Sequence, residues 1–240
     1  MKLSAPIYQL KRRAKLLARN EKIALNEALD RLAREEGFAG WSLLSAQFAM
    51  NLPASAVLSR LSDGDMLLLG ARPGHGKTRL GLQLLLDAVH EGRKAVFFTL
   101  EYSKREAGEH IRALDKSATG YGDRVEIVTS DDISADYIIR HLSGSPRGTV
   151  AIIDYLQILD QRRSKPALSD QLRALQEFAR RSGVVLGFIS QIDRSFDPES
   201  KPVPDIRDIR LPNPFDPGIF SKACFLHNGE VRLEEMAGFA

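Results

Sequence analysis

The residues Leu67-Leu68-Leu69-Gly70-Ala71-Arg72-Pro73-Gly74-His75-Gly76-Lys77-Thr78 run from an apolar segment through a Gly-rich turn to Lys-Thr. This is the order of a phosphate-binding loop. Gly74 and Gly76 let backbone N–H groups close around phosphate oxygens without a Cβ in the way. The apolar-periodic stretch Leu80 to Val89 predicts a helix whose N-terminal dipole and N–H groups face the same anion. Such a loop would seat a nucleoside triphosphate on Ala71, Arg72, Pro73, Gly74, His75, Gly76, Lys77, Thr78 and Arg79. Lys77 would reach the β- and γ-phosphates and so serve catalysis as well, and the Thr78 hydroxyl would ligate Mg²⁺. One departure from G-x-x-x-x-G-K-[ST] is visible. Ala71 occupies the first Gly position, with Gly70 just before it. The alternative reading is a Gly-rich strand-to-helix turn that binds nothing; the strand and helix signals on either side favour the phosphate loop.

Three further polar residues stand at the ends of apolar runs. Val150-Ala151-Ile152-Ile153-Asp154 has the form of a Walker B strand. A carboxylate delivered there, downstream of a phosphate loop, suits Mg²⁺ held with the Thr78 hydroxyl. Ala95-Val96-Phe97-Phe98-Thr99-Leu100-Glu101 ends in a second carboxylate. From spacing alone, Glu101 reads equally as a general base that orients water or as an exposed strand-end acid. Gln191 follows Val185-Leu186-Gly187-Phe188-Ile189-Ser190. Its amide can sense a γ-phosphate and pass the change to the next loop, or it is a polar strand end and no more.

These residues need a scaffold, and the pattern predicts one. From Met66 onward, strands at Met66–Leu69, Ala95–Leu100, Val125–Val128, Val150–Asp154, Val184–Ser190 and Ala223–Leu226 alternate with helices. The helices fall at Arg79–His90, Lys104–Leu114, Ala135–Leu142 and Ser169–Arg181. Near-continuous apolar strands between helices indicate an α/β fold with a mostly parallel sheet flanked by helices. Ser195 to Pro217 is Pro- and Asp-rich and reads as irregular. In front stands a basic amphipathic segment: residues 1 to 20 hold Lys2, Lys11, Arg12, Arg13, Lys15 and Arg19 and no acid. With a second helix from about Ile23 to Glu36, capped by Gly37 and closed by Phe38 and Trp41, it predicts a small helical hairpin. Its basic face reads as a solvated surface, or as a contact for nucleic acid or a neighbouring subunit. Residues 1–45 and 46–240 are the expected domains.

Bulk properties narrow the classes. The chain has 240 residues, 43% of them apolar, and a net charge of +3. This fits one large α/β domain plus a small appendage. No apolar run approaches the ~20 residues of a membrane span, and no leader sequence is evident. Cys224 is the single cysteine, which permits no internal disulfide and points to a reducing, cytoplasmic compartment.

Four phrases in one order carry a resemblance. They are Gly70-Ala71-Arg72-Pro73-x-x-Gly76-Lys77-Thr78, Phe97-Phe98-Thr99-Leu100-Glu101-Tyr102-Ser103-Lys104, Ile153-Asp154-Tyr155-Leu156-Gln157 and Ser190-Gln191-Ile192-Asp193-Arg194. From about Gly64 to Leu226 the chain resembles the motor domain of DnaB-type replicative helicases, a RecA-like P-loop ATPase. The resemblance implies ATP and Mg²⁺ as cofactors, Glu101 as catalytic carboxylate, Asp154 serving Mg²⁺, and Gln191 coupling the γ-phosphate to DNA-contacting loops. It also implies single-stranded DNA as partner and a hexameric homo-oligomer that hydrolyses ATP between subunits. Arg162, Arg163, Lys165 and the loop after Gln191 are the candidate DNA contacts; Arg162 to Lys165 reads equally as a solvated loop.

Three departures from the family are expected to matter. The short hairpin stands in place of a long N-terminal collar. Pro204-Asp205-Ile206-Arg207-Asp208-Ile209-Arg210 resembles the family's Ser-Asp-Leu-Arg phrase but continues as Leu211-Pro212-Asn213-Pro214-Phe215-Asp216-Pro217. After a turn at Asn228-Gly229, Arg232 is the only basic residue. A trans-acting arginine would then have to come from Arg207, Arg210 or Arg232. A non-unwinding RecA-like ATPase that acts as a nucleotide-dependent switch is therefore the alternative to a DNA motor. A phosphotransferase would want an Arg-rich lid over the phosphates, and none is evident.

Overall fold

Apolar residues along the central strands sort by alternation onto two helix-covered faces. Met66, Leu68, Val96, Phe98, Ala151, Ile153, Leu186 and Phe188 pack in one core. Leu67, Leu69, Ala95, Phe97, Val150, Ile152, Val185 and Ile189 pack in the other. A strand buried on both faces needs no polar positions, which is why these segments read as continuous apolar runs. The computed structural model describes residues 4–5, 7–44, 54–115, 120, 124–156, 159, 166–197, 201, 203–210, 216–227 and 230–236.

The strands are β1 (Met66–Ala71), β2 (Ala95–Thr99), β3 (Glu126–Val128), β4 (Val150–Asp154), β5 (Val185–Gln191), β6 (Lys222–His227) and β7 (Glu230–Glu235). They form one sheet in the order β3-β2-β4-β5-β1-β6-β7. All neighbours are parallel except β6 and β7, which pair antiparallel. The helices are α1 (Ile7–Glu21), α2 (Leu25–Glu35), α3 (Ala54–Leu58), α4 (Lys77–His90), α5 (Lys104–Leu114), α6 (Ala135–Leu142) and α7 (Leu168–Ser182). Leu80, Leu84 and Ile111 of α4 and α5 join the core containing Leu67, while Ile138, Leu172 and Leu175 of α6 and α7 join the one containing Leu68. The α/β expectation holds, with helices on both faces of a mostly parallel sheet.

Local chemistry explains the element ends. Ser103 and Glu106 form a reciprocal capping box at the start of α5, satisfying two backbone donors that helix geometry leaves orphaned. Gly183 ends α7 in the left-handed conformation, as a helix C-terminus favours. The buried Gln171 side chain accepts the Ala135 N–H at 3.1 Å and donates to the Leu159 and Pro166 carbonyls at 2.7 and 2.9 Å. It thereby fastens α6 to both flanks of residues 160–165.

Helices α1 and α2 form the expected hairpin, with Ala14, Ala28 and Leu32 buried between them. Phe38 and Trp41 pack with Ala33 and Leu44 at its end. The hairpin signalled at Asn228-Gly229 is borne out: β7, Glu230 to Glu235, pairs antiparallel with β6 and adds an edge beyond the last strand read from the sequence. One expectation changes. The stretch after β5 is not simply irregular. It carries 3₁₀ turns at Ile206–Asp208 and Pro217–Ile219 and sends Phe196, Val203 and Ile209 into the core.

Candidate functional site

Parallel strands align their C-terminal ends, and the sheet order sets four of them side by side. Thr99 of β2 is register partner to Asp154 of β4, and Gln191 of β5 is partner to Ala71 of β1. The expected chemistry is thus collected at one edge, the usual ligand position of an open α/β sheet.

The turn from β1 into α4 runs through Gly74 and Gly76, at φ +78° and +89°. These left-handed conformations strain any residue with a Cβ. Gly76 is the N-cap of α4; no side chain caps that end and its first turn holds no acid. The helix dipole and its first N–H groups are left to an external anion. Gly70 has a different role. A Cβ there would lie 2.8 Å from Phe225 Cδ1 and 3.2 Å from Ile192 Cδ1. It is a packing glycine inside β1, not a displaced loop glycine.

Thr78, in the first turn of α4, donates its hydroxyl to Asp154 Oδ2 at 3.0 Å. Asp154 is 2% exposed. Burial pushes its carboxyl up to about 6, opposed by the Thr78 hydrogen bond and the Lys77 charge and assisted by Glu101. Lys77, Thr78, Asp154 and Glu101 therefore share one electrostatic neighbourhood. The exposed Glu101 follows a turn in which its N–H donates to Thr99 Oγ1 at 3.0 Å. Tyr102 belongs here too: burial and then the charges of Asp154 and Glu101 push its phenol up, opposed by Thr78. The sequence assigned Tyr102 no role, although its place beside Glu101 was the available signal.

At the C-terminal ends of β1 and β5, Arg72, Pro73, His75, Gln191, Ile192, Arg194 and Arg210 line a cleft of about 420 Å³. Arg72 donates from Nη2 to the Arg194 and Phe196 carbonyls, at 2.7 Å each. Gln191 accepts the Arg210 N–H through its carbonyl at 2.8 Å, and Asp193 donates its N–H to the Asp208 carbonyl at 2.7 Å. The stretch after β5 thus folds back along the strand end that carries Gln191. Pro73 and His75 lie on the cleft wall, and Arg79 is exposed on α4. Arg162, Arg163 and Lys165 lie outside the described residues, as do Leu211 to Phe215.

Among the described residues no group of three or more His, Cys, Asp or Glu side chains could hold a metal ion by itself. The oxygen pair Thr78–Asp154 supplies one hydroxyl and one carboxylate. That suits Mg²⁺, which takes few protein ligands and completes its shell from phosphates and water.

No family model matches the chain. A probable plasmid replicative DNA helicase of Chlamydia muridarum is 24% identical over 183 residues, 62% of this chain and 40% of that protein. The replicative DNA helicase DnaB of Mycoplasma pneumoniae is 24% identical over 198 residues, 66% of this chain and 41% of that protein. A solved DnaB-like replicative helicase superposes with TM-score 0.55 at 18% identity, covering 90% of this chain and 65% of that one. The chain resembles the DnaB helicase motor domain. This DnaB-like domain has a RecA-like fold, shared also by a KaiC-like protein of Pyrococcus horikoshii at TM-score 0.53 and 16% identity, covering 73% of this chain and 80% of that one. The chain spans about two fifths of the length of the curated relatives it matches. No helix among the described residues of the DnaB-like domain or its hairpin is long and apolar enough to cross a membrane.

Proposed function

We propose that the chain binds ATP with Mg²⁺ and hydrolyses it as a DnaB-like motor on single-stranded DNA, in a homo-oligomeric, by resemblance hexameric, assembly. The observation that carries the nucleotide reading is the 3.0 Å bond from Thr78 to the buried Asp154 beneath an uncapped helix N-terminus. It joins the two elements whose separation in sequence made the reading conditional.

The roles follow from position. Residues 71–79 wrap the phosphates, with backbone N–H groups at the start of α4 donated to them, and Lys77 supplies positive charge at the β- and γ-phosphates. Thr78 and Asp154 would hold Mg²⁺, which would supply positive charge against the charge developing on the phosphates. Glu101, exposed and within electrostatic reach of Asp154, orients or deprotonates the attacking water, a contribution of about 10²–10⁴ in rate. Gln191, one hydrogen-bonded register from Ala71, reads the γ-phosphate and holds Arg210 through its own carbonyl.

A trans-acting arginine is worth about 10³–10⁵ in rate. Arg207 is engaged by Asp205 at 2.7 Å and Arg232 by Glu234 at 2.6 Å, while Arg210 lines the cleft. These intrachain bonds support a second reading, in which nucleotide state orders the stretch after β5 as a switch for a partner and unwinds nothing. Steady-state ATP hydrolysis with and without single-stranded DNA, over a range of protein concentration and beside Lys77→Ala, separates the two. Stimulation by DNA that rises with concentration is the motor. Weak turnover indifferent to both sinks it and leaves the switch, and nucleotide binding unaffected by Lys77→Ala would refute the site itself.

A further inference from the structure

We propose that Arg72 is a positioning residue: its guanidinium ties the phosphate loop to the stretch after β5, so that seating a nucleotide on the loop is transmitted to residues 193–196. The proposal rests on the nucleotide reading above and names a second connection beside that of Gln191.

Arg72 is the first residue beyond β1, so its backbone belongs to the phosphate loop. Its side chain leaves that loop. Nη2 donates both of its hydrogens across the cleft, to the carbonyls of Arg194 and Phe196. The guanidinium also lies over the Phe196 ring, 5.5 Å from its centroid. Phe196 is 3% exposed and sets its ring edge-on to His227 of β6, with centroids 5.2 Å apart. His227 in turn stacks on His75 at 4.6 Å. Two residues of the phosphate loop therefore grip Phe196, one directly and one through His227.

The geometry requires arginine. A planar guanidinium offers paired donors in a fixed direction and a flat face for the ring, whereas an ammonium is a compact point charge on a flexible stem. The gripped residues are themselves a small unit. Ser195 donates its N–H to Asp193 Oδ1 at 2.8 Å, Phe196 donates to the Asp193 carbonyl at 3.3 Å, and Asp193 donates to Asp208. A shift of residue 72 thus moves residues 193–196 together and, through Asp208, the turn at Ile206–Asp208. The cleft of about 420 Å³ between loop and stretch leaves room for that movement.

Amide hydrogen exchange on the full chain tests this, without nucleotide and with Mg²⁺ plus a non-hydrolysable ATP analogue. The variants are Arg72→Lys, which keeps the charge, and Phe196→Leu, which keeps the carbonyl but not the ring. Analogue binding is measured in parallel by fluorescence. In the natural chain the analogue is expected to slow exchange at 193–196 at least tenfold. Compared at analogue concentrations that saturate each chain, Arg72→Lys should change exchange at 193–196 less than twofold, with α7 protected as before; Phe196→Leu, outside the phosphate loop, should bind the analogue within threefold of the natural chain and retain an intermediate response. A full response in Arg72→Lys overturns the proposal, as does loss of analogue binding in that variant, which would make the Arg72 guanidinium, and not only its backbone, a ligand of the phosphates. An unaltered exchange pattern in the natural chain with analogue bound also overturns it, leaving the nucleotide reading intact. No binding by the natural chain overturns both.

Discussion

Asp154→Asn should make the metal-free protein more stable while it abolishes Mg²⁺-dependent turnover. Asp154 is buried among Lys77, Thr78 and Glu101, and its carboxyl is raised from 3.8 to about 6. A folded-state value above the unfolded one means the native protein holds this proton more tightly. Stability therefore falls as pH rises from about 4 to about 6, and the full cost is carried above that window. At about 1.36 kcal/mol per pKa unit, the ionised carboxylate costs the fold ~3 kcal/mol at neutral pH. Asparagine removes the charge and still accepts the Thr78 hydroxyl. Its own buried amide must be desolvated, which trims the expected gain to ~1–2 kcal/mol. Urea unfolding in the presence of a chelator at pH 8 and pH 4.5 measures it directly. The variant should be the more stable at pH 8, and the difference should shrink towards zero at pH 4.5. Equal stabilities at pH 8, or a gain that persists undiminished at pH 4.5, would refute the view of Asp154 as a buried carboxylate lacking its cation.

Three more outcomes are expected. Gly70→Ala should lower stability by ~1–3 kcal/mol, since its Cβ meets the rigid Phe225 ring; Gly187→Ala, which meets only the terminal methyl of Ile152, should lower Tm less in a thermal melt. Cys224, buried and with its thiol pushed up to about 12, should resist a thiol-specific chromogenic reagent at neutral pH until denaturant is added. Asp205→Asn should loosen residues 201–208: Arg207 first, then Lys201, hold this carboxyl well below the usual carboxylate range, so the contribution is present at neutral pH and fades as the solution is acidified below about pH 4. Limited proteolysis across 197–210 should be faster in this variant at neutral pH, with most of that difference still present at pH 3.5 and lost only at more acidic pH.

Much of this was legible in the sequence because it follows from local rules. Alternating burial on two faces made β1, β2, β4 and β5 recognisable, and β4, α5 and α6 begin and end where the pattern put them. Start and stop signals missed by a residue or two elsewhere: α4 begins at Lys77 because Gly76 turns left-handed directly before it. What stayed hidden depends on residues far apart in the chain. Nothing near Gly70 reveals that the Phe225 ring sits over it, and nothing near Arg72 reveals that its guanidinium crosses to Phe196. The Pro- and Asp-rich stretch looked irregular because its order comes from ion pairs, Lys201 to Asp205 and Asp205 to Arg207, rather than from any periodic apolar pattern. Strand β7 was signalled only through the Asn228-Gly229 hairpin turn before it, and pairing with β6 makes its charged alternation a strand.

The strand order has a consequence for how the chain acquires its site. Strand β1 precedes all the others in sequence, yet its two neighbours are β5 and β6, so it is the element that waits longest for partners. During synthesis β2, β3 and β4 can zip together while β1 still has no neighbouring strand, and loop-closure entropy makes such distant pairings slow. The proposed phosphate loop hangs from the end of β1, and Ala71 is fixed only when Gln191 and Leu226 flank it. Nucleotide competence should therefore appear late in folding, as a report that the distal strands have docked, and a nascent or truncated chain lacking β5 and β6 would have no phosphate loop able to hold its ligand prematurely.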